Sequence, residues 1–494
     1  MAKSLLGVGS LILGRRAAIA LPLVLLAVFC AASLFASPPL AEVGPVGWRN
    51  DGSGKFTGCG PYSWDLSAVT VRWKTKLPHR SNASPVFADG RVFVAAEPNL
   101  LICLNAETGE VLWERSTSYL HLNEGADLSE EVQSALQASE ESLASKFTRD
   151  GLSLAHNPEM YSFDENLPER FKRPAVHLDA GYTTPTPASD GDSVYQILGT
   201  GVVASFTRDG ERRWCAFPQK PTIRWGHASS PVISEGRLII HADDCIALDC
   251  DTGKEVWRTP VRVRWATPAV ARLGDLEIIV LGGGEVIRPS DGKLLADLFP
   301  HDERCDPYVD YWGTSSPVVD GSAVYFVDAT PVEMRTLPTV QRFDLKPTED
   351  GRVAAEHRWR SDIPLGKYYA SPIVHGGKVF AIASTIRSRG RRDFASILNR
   401  RSDGTLLVFD AESGSLLQSV NLGRDTGTYH TCSFVDGCLW ITGHAGVLVV
   451  LDASGEHIEL DRAFVEPTRS HPWFLRRDVI YRGSEHLMRF RFDD

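Results

Sequence analysis

The chain has 494 residues, of which 43% are apolar, 23% charged and 9% aromatic. That composition excludes a disordered or collagen-like chain, because it carries enough apolar side chain to build a core. A formal net charge of −10 argues against whole-molecule attraction to nucleic acid.

Residues 17–36 carry no charge and follow Arg15-Arg16, the pattern of an export segment whose positive flank stays in the cytoplasm. Residues 1–41 are therefore expected to be a signal peptide or an N-terminal membrane anchor. An apolar run of this length can span a bilayer of ~30 Å, so cleavage and retention both stay open. Either way the expected location is extracytoplasmic, in the periplasm or cell envelope. Eight of the nine Cys lie beyond this segment, where an oxidising compartment permits bridges. No Cys-x-x-Cys or His/Cys metal spacing occurs, and no metal site is expected. Cys245 and Cys250 fall on opposite faces of one expected strand and should not pair with each other.

Beyond the leader, one repeat governs the chain from 42 to 494. Four Met stand against 12 Trp, 42 Gly and 29 Pro, which favours short strands and tight turns. Ser84-Pro85-Val86 opens a line that runs through Asp89-Gly90 to Asn105-x-x-Thr108-Gly109-x-x-x-Trp113. Ser230-Pro231 opens a second that runs through Glu235-Gly236 to Asp249-x-x-Thr252-Gly253-x-x-x-Trp257. Weaker copies start at Pro187, Pro268, Pro317, Pro372, Cys432 and Pro472. Eight starts, most of them about 40–60 residues apart, fit four-stranded propeller blades. Proline is tolerated at the first residue of a strand, and Asp-Gly or Glu-Gly supplies the first hairpin turn. Trp113, Trp214 and Trp257 each sit four residues after a turn glycine, where a large ring would pack between neighbouring blades.

The last copy supplies only three strands. Val69-Thr-Val-Arg-Trp73 reads as an orphan fourth strand with its own tryptophan. Pairing the two closes the ring and removes exposed sheet edges. The expected fold is all-β: an eight-bladed propeller of four-stranded antiparallel blades, shut by its termini, with one helical insertion. That insertion occupies 115–180, between blades 1 and 2. Asp127-Leu-Ser-Glu130 forms a capping box, and Val132, Leu136, Leu143 and Phe147 make one stripe, so a surface helix is expected over about 127–150. In the sixth repeat the Arg387–Arg401 loop carries six arginines, a composition suited to an anionic surface.

Residues just before each first strand should line the axial opening. They read Arg80, Asn82, Tyr182, Trp225, His227, Arg264, Trp265, Trp312, Tyr368, Tyr369, Tyr429, His430, Arg469 and His471. Aromatics, Arg and His are residue types that anchor interfaces and bind planar or anionic ligands. They are candidates for a ligand- or peptide-binding rim, or for a plug that packs the loops.

Ala247-x-Asp249-x-x-Thr252-Gly253-x-x-x-Trp257 is similar to the tryptophan docking motif of the pyrroloquinoline-quinone (PQQ)-like repeat. With Gly47-Trp48-Arg49-Asn-Asp-Gly-Ser-Gly54, Tyr182-Thr-Thr-Pro-Thr-Pro187 and Gly226-His227-Ala-Ser-Ser-Pro231, residues 45–494 resemble the exported bacterial PQQ-binding-like β-propeller repeat proteins, quinoprotein-like propellers with BamB-like repeats. The resemblance implies the fold and leaves activity open. Trp73, Trp113, Trp214 and Trp257 would then be the blade-docking residues. The adjacent cysteines of alcohol-oxidising quinoproteins are missing, and Glu303, Asp306 and Asp310 match no calcium-binding loop. No Gly-x-Ser-x-Gly elbow, phosphate loop or His-Glu-x-x-His is present, and no catalytic residue is assigned. The expected function is a non-catalytic interaction or assembly scaffold, a monomer whose partner is an envelope protein or peptide and which needs no cofactor. The alternatives are a quinoprotein oxidoreductase using PQQ with calcium, and a small-ligand or carbohydrate-binding propeller.

Overall fold

The computed structural model describes residues 44–60, 62–122, 128–150, 167–177, 180–223, 226–300, 315–328, 339–363, 368–386, 402–423, 426, 429–454, 456–457 and 459–492. Side chains are described for all of these except 144–150, 328, 368–369, 385–386 and 402.

Each repeat folds as one antiparallel sheet. Blade 1 runs Val86–Ala88, Arg91–Ala96, Leu100–Asn105 and Val111–Ser116 from its inner to its outer edge. Blade 2 starts at Ala188–Ser189, blade 3 at Val232–Ser234, blade 4 at Ala269–Leu273 and blade 5 at Val318–Asp320. Blade 6 starts at Ile373–His375 and blade 7 at Thr431–Val435. Blade 8 combines Trp473–Leu475, Asp478–Arg482 and His486–Phe492 with Val69–Lys76 as its outermost strand, so the two ends of the chain close the ring. The eight-bladed propeller expected from the repeats is the fold of the chain.

The middle strands are buried on both faces, as in Arg91–Ala96 and Leu100–Asn105, and hold the apolar layers between blades. The outer strands of blades 1, 2, 3, 5 and 8 each bury a tryptophan. Between the third and fourth strands every blade carries a β-bulge, and the extra residue lies immediately before the tryptophan position. A bulge re-aims the next side chain, here toward the following blade. Trp73, Trp113, Trp214 and Trp257 donate through Nε1 to Ala106, Arg208, Cys250 and Pro289 carbonyls at 3.0, 2.9, 2.9 and 2.8 Å. Trp359 does the same to Ala411 at 3.1 Å, stitching blade 5 to blade 6. Each ring covers the turn glycine of its neighbour. A Cβ on Gly253, which holds φ +70, would lie 2.5 Å from the Trp214 ring.

At the inner edge a second device repeats. In blades 1 to 6 the Ser or Thr before the proline accepts from the backbone N–H of its counterpart one blade earlier. Ser84 N donates to Thr186, Thr186 N to Ser230, and Ser230 N to Thr267, all at 3.0 Å; Thr267 N donates to Ser316 and Ser316 N to Ser371, both at 2.9 Å. His471 N closes onto Ser84 Oγ at 2.9 Å.

The insertion helix α1 spans Glu130–Asp150. Its cap is Ser129, whose Oγ accepts from Val132 N at 3.3 Å. The expected cap, Asp127, lies outside the described residues. Leu136 and Leu143 are buried, and Arg173 donates to Ser139 Oγ at 2.6 Å to hold α1 against the insertion's return.

Candidate functional site

The axis of the ring is where propellers place ligands, and here the chain's own arm enters it. Val46 bridges Ser189 on the inner edge of blade 2. Lys55–Phe56 pairs in parallel with Phe434 and Val435 on the inner edge of blade 7. Between them the segment crosses the axis. Gly47 and Asn50 exchange backbone hydrogen bonds at 2.8 and 3.2 Å, which leaves Trp48 and Arg49 at the tip of a tight turn. Arg49 holds φ +55, a left-handed conformation that a side chain disfavours.

That turn drives the Arg49 guanidinium into the ring. It is 2% exposed, and Nη2 donates to Pro372 O of blade 6 at 2.9 Å and to Cys432 O of blade 7 at 3.5 Å. Burial lowers its pKa to about 10, so it stays charged at neutral pH. The Trp48 ring lies edge-on to His471 of blade 8 at 5.7 Å, and Lys55 pairs with Asp320 of blade 5 at 3.1 Å. Downstream, Gly58 N donates to Asp436 at 2.8 Å, and the buried Trp64 packs 5.9 Å from Trp440 and 5.3 Å from Phe492.

The fourteen rim candidates divide. Tyr182 is fully buried, its N–H bound to Glu97 at 3.0 Å and its hydroxyl to Pro174 O at 3.0 Å. Arg80 helps hold the buried Glu97 carboxylate, whose pKa burial nonetheless raises, and Asn82 reaches Thr184 at 3.3 Å. His227, His430 and His471 are buried imidazoles. Burial pushes His227 down to about 3, His430 to about 4 and His471 well below its usual value. The half-buried Trp265 donates to Gly226 O at 3.0 Å beside Arg264. Among the candidates whose side chains are described, Tyr429 is the most open, 39% exposed, with the Arg469 guanidinium 4.2 Å above its ring and His444 edge-on at 5.7 Å. Tyr368 and Tyr369 form a short strand against Ala383 and Ser384. Trp225, Trp312 and the Arg387–Arg401 loop lie outside the described residues.

One constellation had no sequence signal. Ser384 Oγ lies 2.8 Å from His430 Nδ1, and Thr426 Oγ1 lies 3.1 Å from Nε2. This has the distances of a serine–histidine pair. Ser384 is buried, however, and a Cβ on Gly404 would lie 2.6 Å from the imidazole, so no substrate reaches it. The trio ties Thr426 and His430 to blade 6.

The quinone cofactor implied by quinoproteins requires a calcium-binding oxygen cluster. Among the described residues no group of three or more His, Cys, Asp or Glu can hold a metal ion. The axis carries a buried guanidinium and neutral imidazoles, a donor set that does not fit calcium. Glu303, Asp306 and Asp310 lie outside the described residues. The seven described cysteines, six of them buried, are free thiols. No described helix is long and apolar enough to cross a membrane.

Fold and axis together define an eight-bladed propeller whose centre is threaded by its own N-terminal arm. Residues 61–201 and 199–388 match the family model described as outer membrane protein assembly factor BamB, and the chain belongs to that family. No curated protein matches it. Among solved structures it is similar to BamB from Moraxella catarrhalis, at 12% identity and TM-score 0.53 over 86% of this chain and all of that one. It is also similar to the quinohemoprotein alcohol dehydrogenase from Comamonas testosteroni, at 12% identity and TM-score 0.50 over 90% and 80% of the two chains. A europium-containing methanol dehydrogenase gives 10% identity and TM-score 0.53 over 91% and 98%. At these identities the likeness is one of fold.

Proposed function

We propose that the protein is an exported, non-catalytic propeller that acts as an interaction scaffold at the cell envelope. The observation that carries this reading is the threaded axis: residues 46–56 run between the inner strands of blades 2 and 7 and place a buried guanidinium against blade 6. Membership of the BamB family supports a protein partner. Residues 1–41 direct export, as signal or anchor, and Tyr429 with Arg469 presents the most accessible part of the rim to that partner. An exposed aromatic ring carrying a guanidinium suits an interface anchor.

The test has two arms, both on the full chain. Titration with PQQ and calcium should show no saturable binding. A photo-crosslinking residue at position 429 should capture a discrete envelope protein, whereas one at Asp350, in the Thr348–Arg352 hairpin turn of blade 5, should not. Micromolar PQQ binding with alcohol-dependent dye reduction would overturn the proposal in favour of an oxidoreductase.

A further inference from the structure

Each blade ends in an outer strand that pairs on one side only, so the ring presents eight outer edges. An unpaired edge is a template for another strand, and proteins guard such edges with charged side chains. Seven of the eight follow that rule, each carrying at least one Asp, Glu, Lys or Arg. The eighth belongs to blade 6, beside the seam that flanks blade 7. Its outer strand, Leu416–Asn421, reads Leu-Leu-Gln-Ser-Val-Asn and holds no charge. It opens with two apolar side chains in water, Leu416 at 46% and Leu417 at 50% exposed.

The register shows which backbone groups face out. Leu422 N donates to Gly404 O at 2.9 Å, and residues along an antiparallel edge bond inward and outward by turns. Val420 and Gln418 therefore turn their N–H and C=O to Leu406 and Val408, and Ser419 and Asn421 turn theirs away from the sheet. Both of these outward residues are exposed, so the row is open to solvent.

The chemistry of the edge points to its occupant. A line of backbone donors and acceptors is satisfied by an extended strand, with side chains adding specificity. Six residues span about 20 Å, a strip far short of the ~1,200 Å² that a stable pair of folded bodies buries. A second copy would also bring another body of net charge −10 to the contact. We propose that the outer strand of blade 6 binds, by strand addition, an extended uncharged segment of a different envelope polypeptide. Its backbone pairs with Ser419 and Asn421, and its apolar side chains cover Leu416 and Leu417. This rests on reading the protein as an interaction scaffold. The PQQ titration and the crosslink at position 429 test that reading and play no part in the experiment that follows, so the two fail separately.

The probe is a fluorescent peptide of alternating threonine and valine, residue types that favour the extended chain, flanked by glycine and serine for solubility. Titrated with the full chain, its anisotropy should saturate, and amide hydrogen exchange should slow in residues 416–421 and in no other outer strand. A copy N-methylated at alternate residues, which cannot donate to the edge, should not bind. Ser419→Pro removes an outward donor, a change that edge strands tolerate, and should weaken binding about tenfold. If that variant does not fold, Leu417→Lys gives the edge the charge its seven counterparts carry and should weaken binding several-fold. Protection on another blade, or binding unchanged in the folded variants, would overturn the proposal. So would self-association of the full chain that Ser419→Pro abolishes, which would make the occupant a second copy.

Discussion

Blades 8, 1, 2, 3 and 4 are joined differently from blades 6, 7 and 8. Across the first four interfaces two devices act together: a tryptophan docks on the next blade's turn, and a hydroxyl receives a backbone N–H at the inner edge. Between blades 4 and 5 the relay persists, and Phe299 packs 5.2 Å from Phe326 and 5.3 Å from Phe343 in place of a docked indole. Around blade 7 both devices are missing. Gln418 occupies the tryptophan position of blade 6, and Asp461 that of blade 7. Asp461 instead accepts from Leu66 N at 2.5 Å. The arm supplies what these interfaces lack, with Arg49 and Phe56 at the inner edge and Trp64 between the blades. Repetition holds one sector of the ring, and a single unrepeated segment holds the other.

Removing that segment should have the largest effect. Deletion of 47–56 from the full chain is expected to cost more than about 5 kcal/mol, because it uncovers the core around Phe56 and both carbonyls bound by Arg49. Urea unfolding should then show an early transition confined to blades 6–8, whereas one unchanged cooperative transition would break the comparison.

Acid tests both sectors. His227 and His241 of blade 3, and His430 and His471 of the seam, are buried and held below the unfolded value of about 6.5, with His241 pushed down to about 4. The unfolded chain therefore binds more protons as pH falls from about 6.5 to 4, and stability is lost through that window. Each imidazole contributes up to about 2 kcal/mol at pH 5, and Glu97, raised by burial, runs the other way. The unfolding midpoint should drop between pH 7.5 and 5.0, and less so in His227→Gln.

Trp214→Ala should cost about 3–5 kcal/mol, spread over the cooperative transition since the relay still joins blades 2 and 3. Gly253→Ala, which forces a Cβ against the same ring at positive φ, should cost about 1–3 kcal/mol. Smallest is a matched pair: Ser230→Ala removes an acceptor and should cost about 1–2 kcal/mol, whereas Ser433→Ala on blade 7 removes a hydroxyl with no partner and should be near neutral. Equal effects in the pair would mean that the inner relay contributes nothing.

Blade number and ring closure were legible because strand, turn and tryptophan recur within each repeat. Trp359 escaped the Gly-plus-four spacing, since blade 5 has longer outer strands and its turn glycine, Gly351, lies eight residues away. The bulge that aims every slot residue has no composition of its own. Gly47-Trp48-Arg49 stood out as a motif, but its carbonyl partners lie 323 and 383 residues onward, beyond any local pattern. Position before a first strand names axial candidates without saying which way they turn. Tyr182 and His227 are buried, whereas Tyr429 is exposed.

The most direct test is amide hydrogen exchange on the full chain and on Arg49→Gln, followed by mass spectrometry. The threaded-axis reading predicts faster exchange in residues 373–375 and 431–435 of the variant, with 188–189 and 232–234 unchanged. Protection lost evenly around the ring, or not lost at all, would contradict it.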